Sequence, residues 1–413
     1  MKKGITLLLA ILVATLAFSQ NQFKTPLLQS DYNYNSKDIP KFIKQTAKSK
    51  KDRVKIAFEN ATGEGLREAF CPYFADLYLG KNLDKTNEKL LEIFTTNDAG
   101  IQEIFRLNDT WCLAFKQIAY HMYYAFGAKS NRYPGRLYPE TEKALLELLW
   151  KKAKYKNDIH LARESTWWMV GSENHDIVAK VSNLISSQIF MNEEDFKDRV
   201  YPDLGTGAGE EYWFHHMYGK ERISGPHGRA NNKDGKEYTA ADHYKEWVQY
   251  FDEFFTERAK KGFFLEMASF GYMAVTVSYL TDIYDLCDDK KLKQKAEDFL
   301  DVVWADWAQE QLLGVRGGAK TREKDGTRWA DAMYRFARFY SGGEGSSGTH
   351  FFAQLLSDYE WKPIIWKIAL DRQGRDEFAS TSRQPGEEEG MMPRPLGTER
   401  SMLCDTESRF VRY

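Results

Sequence analysis

Phe270-Gly271-Tyr272-Met273-Ala274-Val275-Thr276-Val277-Ser278-Tyr279-Leu280 lies inside a run from Met267 to Cys287 that is apolar on nearly every side of a helical wheel. A helix of that kind is buried on most sides. The helical runs on either side of it, Ala240 to Lys260 and Leu292 to Leu312, mix apolar and charged positions and read as amphipathic. The same period recurs upstream. Asp176 to Met191 carries Ile177, Val181, Leu184, Ile185 and Ile189. Glu140 to Tyr155 carries Ala144, Leu145, Leu148 and Leu149, and Trp111 to Phe126 carries Phe115, Ile118, Ala119, Met122 and Phe126. Asn87 to Phe94 places Leu90, Leu91 and Phe94 on one face, and Pro134 and Pro139 punctuate the gap before Glu140. Downstream, the glycine-rich turn Gly314-Val315-Arg316-Gly317-Gly318 precedes an amphipathic segment from Arg328 to Tyr340. Strand signals are sparse, and no glycine fingerprint for a nucleotide opens a helix after a strand. The expectation is an all-α chain of successive helical hairpins. A helix buried all round between amphipathic neighbours suits a closed (α/α) toroid, complete or incomplete, with inner helices buried on both sides. An open solenoid is the other arrangement, although no fixed-period repeat supports it.

The 413 residues suffice for one large domain or two ordinary ones. Met1-Lys2-Lys3, the apolar run Ile5 to Ala17 and the small residues of Ala17-Phe18-Ser19 read as a secretory signal over residues 1–19. The apolar run is shorter than a membrane span, no second one follows, and no cysteine ends it to carry a lipid anchor. A secreted product, periplasmic or extracellular, is expected. Residues 20–38 form a polar leader or a surface arm, 39–371 the toroid, and 372–413 a C-terminal extension or the start of a further element. The 58 basic and 60 acidic side chains nearly cancel, so nothing in the charge balance points to nucleic acid. Aromatic residues are abundant, with 11 Trp, 23 Tyr and 26 Phe. They either stack on sugar faces or fill a large core. Cys71, Cys112, Cys287 and Cys404 follow no metal spacing, and either disulfides or buried free thiols are compatible with them.

Chemistry concentrates at Ser172-Glu173-Asn174-His175-Asp176, where Ser172, Asn174 and Asp176 are all good caps for the helix that follows. Trp167 and Trp168 come just before, so an amide, an imidazole, carboxylates and two indoles fall within ten residues. A long irregular stretch from Tyr201 to Thr239 is rich in glycine and holds Tyr212, Trp213, His215, His216, Tyr218 and His227. Stretches of this length are uncommon in compact domains unless they serve a function. No HxxxH or HExxH spacing accompanies the histidines, so no cofactor is expected, with a metal on His215, His216 and His227 the lesser alternative. Glu266 opens the apolar run, either as a first-turn acid or as a site residue.

Ser172-Glu173-Asn174-His175 at a helix start resembles a motif of secreted bacterial α/α-toroid proteins related to polysaccharide lyases and six-hairpin enzymes. Gly262-Phe263-Phe264-Leu265-Glu266, Ser269, Tyr272, Leu280, Tyr284-Asp285 and Leu300-Asp301 resemble the same group, as do Gly314 to Gly318 with Thr321-Arg322. The likeness covers residues 160–325. It implies a lyase in which an Asn-His pair works with a Tyr and often an Arg, as in alginate, heparin and chondroitin lyases. Residue by residue, Asn174 and His175 match the pair. Tyr272 is the first choice for the tyrosine, ahead of Tyr212, Tyr218 and Tyr279, and Arg222 or Arg229 could supply the cation. β-Elimination from a uronate needs its carboxylate neutralised, a base for the proton on the adjacent carbon, and an acid for the departing oxygen. Asn174 at a helix N-terminus suits the first task. His175, whose protonated form the same positive end disfavours, suits the second. Trp167, Trp168, Trp213, His215, His216 and Arg322 are candidates for binding an acidic polysaccharide or oligosaccharide. A glycoside hydrolase would instead pair two carboxylates, drawn from Glu173, Glu210, Glu211 and Glu266. A non-catalytic glycan-binding toroid would show aromatic platforms without a converging acid and base.

Overall fold

The computed structural model describes residues 23–63, 70–96, 109–163, 166, 173–203, 233–261, 263–264, 270–316, 332–346 and 351–373. Among them the chain is mostly helical, as the sequence periods require. In order the helices are α1 (Ile39–Glu59), α2 (Cys71–Leu79), α3 (Leu83–Thr95), α4 (Asp109–Phe126), α5 (Pro139–Ala153), α6 (Ile159–Ala162), α7 (Glu173–Met191), α8 (Ala240–Lys261), α9 (Phe270–Leu286), α10 (Lys290–Glu310), α11 (Ala332–Tyr340), α12 (Phe352–Leu356) and α13 (Pro363–Leu370). Two antiparallel pairs of very short strands complete them: β1 (Val200–Tyr201) with β2 (Tyr238–Thr239), and β3 (Gln311–Leu312) with β4 (Val315–Arg316).

Local chemistry explains where the helix ends differ from the sequence reading. The carboxylate of Asp289 accepts from the backbone N–H of Leu292 at 2.7 Å, so α10 starts at Lys290, two residues early. It stops at Glu310 because Gln311 and Leu312 turn into a hairpin with Val315 and Arg316. The two loop residues, Leu313 and Gly314, have φ of 52° and 80°, the left-handed pair that a two-residue hairpin demands. A Cβ on Gly314 would sit 2.9 Å from a Leu28 methyl, so the glycine also permits close approach.

Helix α7 packs against α4, α5, α8 and α9, while α9 also packs against α10, α11 and α12. Polar rungs fix the relative directions. Gln117 Nε2 donates to Ser278 Oγ at 2.9 Å and to Asp282 Oδ2 at 2.7 Å. Gln188 Nε2 donates to Tyr124 Oη and to the Leu286 carbonyl, both at 2.7 Å. These rungs join matching levels of α4, α7 and α9, so the three helices run parallel and their N-termini share one end. Helix α8 runs antiparallel to α7, with Lys180 meeting Tyr250 near its middle and Glu173 meeting Arg258 near its C-terminus. Further contacts link α8 to α10, α10 to α13, α13 to α1, α1 to α2, α2 to α4, and α12 to α4.

The first described residues lie as an arm across the helices. Leu27 is fully buried, Thr25 Oγ1 donates to Ser341 Oγ at 2.7 Å, and Arg372 Nη2 donates to the Leu27 carbonyl at 2.8 Å. Arg53, buried in α1, donates to the carbonyls of Phe339 and Gly343 at 2.6 and 2.9 Å, which ties α1 to the end of α11. One apolar core threads all of this. Trp247, Trp304 and Trp307 are fully buried, and the Trp304 ring lies 5.4 Å from Trp307 and 5.3 Å from Trp361. For these tryptophans the core-filling alternative holds. Cys71 and Cys287 are buried and in no disulfide, whereas Cys404 and the Cys112 side chain lie outside the described residues. Among the described residues no helix is long and apolar enough to cross a membrane.

Candidate functional site

The N-terminal turn of α7 is fixed by buried charge. Glu173 Oε1 lies 2.7 Å from Arg258 Nη1, with side chains 1% and 0% exposed. One turn on, Asp176 Oδ2 lies 2.9 Å from Lys180 Nζ, which also donates to Tyr250 Oη at 2.8 Å. Moving charges out of water costs several kcal/mol per ion, and a close partner only about offsets it. Such pairs therefore add little net stability but strongly penalise any other seating of the helix. Between them sit Asn174, buried at 5% exposure, and His175, which is half-buried. Both stand at the positive end of the helix dipole.

Tyr272 is the third residue of α9 and is 37% exposed. Because α7 and α9 are parallel and packed, Asn174, His175 and Tyr272 share one end of the assembly. Tyr279, two turns further along α9, is fully buried, and burial pushes its hydroxyl well above the usual range. Comparison with protein families, curated proteins and solved structures gives no match. The site therefore rests on its own chemistry.

The other sequence candidates are not placed. Glu266, Arg222, Arg229, Trp167, Trp168, Trp213, His215, His216, His227, Tyr212, Tyr218, Glu210, Glu211 and Arg322 lie outside the described residues, as do the signal segment and residues 374–413. A cation that the sequence reading did not single out does stand at this end. Arg316 Nη1 lies 3.8 Å from Met273 Sδ, beside Tyr272, and its guanidinium pairs with Glu310 and, at 3.9 Å, with Asp306.

The opposite end of the parallel helices holds a cavity of about 440 Å³ that the sequence reading also missed. His121, Tyr124, Lys129, Arg132, Asp285 and Lys293 are among its lining residues. His121 Nε2 faces Asp282 Oδ1 at 2.8 Å, and burial pushes that carboxyl up. The signal was present as a polar stripe, Ser278, Asp282 and Asp285, along an otherwise apolar helix, matched by Gln117 and His121 on α4. Burial pushes the Asp285 carboxyl up to about 6, against hydrogen bonds from Ser357 and the Asp358 N–H that favour its charged form. A carboxyl raised in this way holds its proton in the folded chain while the unfolded one loses it near pH 4. Its contribution to stability is full below that pH and is lost as pH rises through about 6. Asp285 lines the cavity and water reaches part of it, so a gain of only about 1 kcal/mol is expected from Asp285→Asn at pH 7.5. At pH 4.5 most of the gain should be gone. Urea unfolding at the two pH values checks this, and an equal gain at both would contradict the assignment.

Proposed function

We propose that the chain is an (α/α) toroid carrying a lyase site that cleaves a uronate-containing polysaccharide by β-elimination. The toroid reading is supported by the helix contacts, which return from α13 to α1 and from α12 to α4. Helices α4, α7 and α9 then belong to an inner parallel layer, and α1, α5, α8, α10 and α13 to an outer one. The lyase reading rests on one observation above all: Asn174, His175 and the exposed Tyr272 stand at the same end of two packed parallel helices. Asn174 neutralises the uronate carboxylate, and the dipole of α7 assists it. His175 takes the proton from the carbon next to the carboxylate. The electron pair of that C–H bond forms a carbon–carbon double bond as the glycosidic C–O bond breaks, and Tyr272 protonates the departing oxygen. An acidic glycan met outside the cytoplasm is consistent with the signal-like leader.

The hydrolase alternative loses one of its carboxylates, because Glu173 is held in a buried pair with Arg258. Incubation with alginate, heparin and chondroitin under ultraviolet light tests the proposal. Elimination is expected to raise absorbance through the conjugated double bond left on the new non-reducing end. New reducing ends without absorbance would replace the lyase reading with a hydrolase. Glycan binding with neither product would leave a non-catalytic toroid.

A further inference from the structure

We propose that His160, Asp203 and Asp234 form a binding site for a divalent transition-series cation, zinc before others, which joins the two ends of the β1–β2 connection to α6. This site is separate from the residues assigned to elimination and does not depend on that reading. His160 lies on α6, Asp203 two residues beyond β1, and Asp234 four residues before β2. One nitrogen of the imidazole and one oxygen of each carboxylate lie within 4.8 Å of one another.

Three observations point to a cation between them. First, His160 Nε2 and Asp203 Oδ1 are 3.4 Å apart. That is long for a charge-assisted hydrogen bond, for which about 2.7–2.9 Å is usual. It matches the separation of two donors that each stand about 2.0–2.1 Å from one tetrahedral ion, which is roughly 3.3 Å. Second, the His160 side chain is only 7% exposed, and its Nε2, together with Asp203 Oδ1, is buried without a hydrogen-bond partner. Oδ2 of the neighbouring Asp158 is likewise buried and unpartnered, and its other oxygen accepts from the His160 N–H at 2.9 Å. A buried imidazole nitrogen that meets only a distant carboxylate oxygen is costly unless something stands between them.

Third, the two carboxylates accept hydrogen bonds from their surroundings, as the outer contacts of metal ligands usually do. Asp203 Oδ2 accepts from the Gly235 N–H at 3.0 Å. Asp234 Oδ1 accepts from the Lys236 N–H at 3.0 Å, and Asp234 Oδ2 from the Tyr238 hydroxyl. The nearby guanidinium of Arg163 is engaged chiefly by Glu246 at 3.0 Å and reaches Asp234 only at 4.0 Å. It therefore only partly offsets the carboxylates gathered around His160. An imidazole nitrogen among carboxylates suits zinc, whereas calcium takes six to eight oxygens. The rival explanation is a direct contact of His160 with Asp203 and no metal.

The test uses the chain without a polyhistidine tag, stripped with EDTA and exchanged into metal-free buffer. Titration with Zn²⁺ is expected to show one ion per chain, and Co²⁺ is expected to give visible bands of a four-coordinate N/O site. Asp203→Asn and Asp234→Asn are each expected to weaken zinc binding at least tenfold. Asp234 is the milder of the two for folding because its side chain is partly exposed. Its variant should keep the wild-type circular dichroism and metal-free melting temperature. Absence of one-to-one zinc uptake by the wild-type chain would overturn the proposal. So would undiminished uptake in a folded Asp234→Asn chain, which would put the ion at another place on the chain.

Discussion

His175→Ala is expected to lower the rate of β-elimination by about 10²–10⁴, the usual contribution of a positioned general base. Asn174→Ala should cost about 10²–10³, as removal of one donor to a developing oxyanion does. The two losses should differ in form. In the proposed mechanism Asn174 meets the carboxylate in the ground state and more strongly as the enolate develops, so its removal should raise KM as well as lower kcat. His175, the base of that proposal, would act on a proton that moves only in the reaction, and its removal should fall on kcat. Neither variant disturbs the ion pairs that seat α7, which run through Glu173 and Asp176. Folding free energies should consequently fall by no more than about 3 kcal/mol, the ordinary range of a single substitution, so that both variants remain folded. Initial rates of ultraviolet absorbance on the responsive glycan, read beside urea unfolding, make the check. Full elimination activity in either variant would remove that residue from the site.

Most of the helical frame was legible because burial imposes a period. The run from Met267 to Cys287 predicts a helix enclosed on most sides, and α9 is enclosed by α7, α10, α11 and α12. The same logic concealed what the helix holds. Ser278 and Asp282 look like interruptions in an apolar stretch, yet both are fully buried and bridged to Gln117 on a helix more than 150 residues away. Periodicity reports which side of a helix leaves water and not which partner meets it there. Polar pairs across three helices depend on tertiary register, so the polar stripe in the sequence marks a buried polar face without naming its partners. The cluster of His160, Asp203 and Asp234 was hidden for a related reason. Its members are spread over the chain and brought together by a two-residue strand pair, Val200 with Thr239 and Tyr201 with Tyr238, too short to announce itself in composition. Asn174 and His175 stand out in the sequence because they are adjacent in the chain, and the structure places both in the first turn of α7. Cap chemistry and site chemistry draw on the same residue types there.

Glu173→Gln is expected to lower the folding stability by about 3 kcal/mol or more. The carboxylate faces Arg258 at 2.7 Å with both side chains essentially sealed from solvent. The substitution keeps the size of the side chain but removes its charge, so the guanidinium stays in the interior opposite a neutral amide. A surface pair treated in the same way would change stability by less than about 1 kcal/mol. Burial is what makes the difference. Arg258 also lies over the Phe254 ring, 4.9 Å from its centroid, so its apolar stem has a place in the core that charge removal leaves intact. If the loss comes from the charge, adding Arg258→Met should recover most of it, because two neutral side chains of similar volume need no mutual compensation. If the loss comes from packing, the double substitution should be worse than either single one. Urea unfolding of the two singles and the double gives the coupling energy that separates these cases. A recovered double variant also isolates what the pair does for the site. It should restore stability without restoring the fixed seating of α7 on α8, so elimination by Asn174 and His175 should remain below wild type even with the fold recovered. Wild-type activity in that double variant would show that the pair stabilises the interior without positioning the residues beside it.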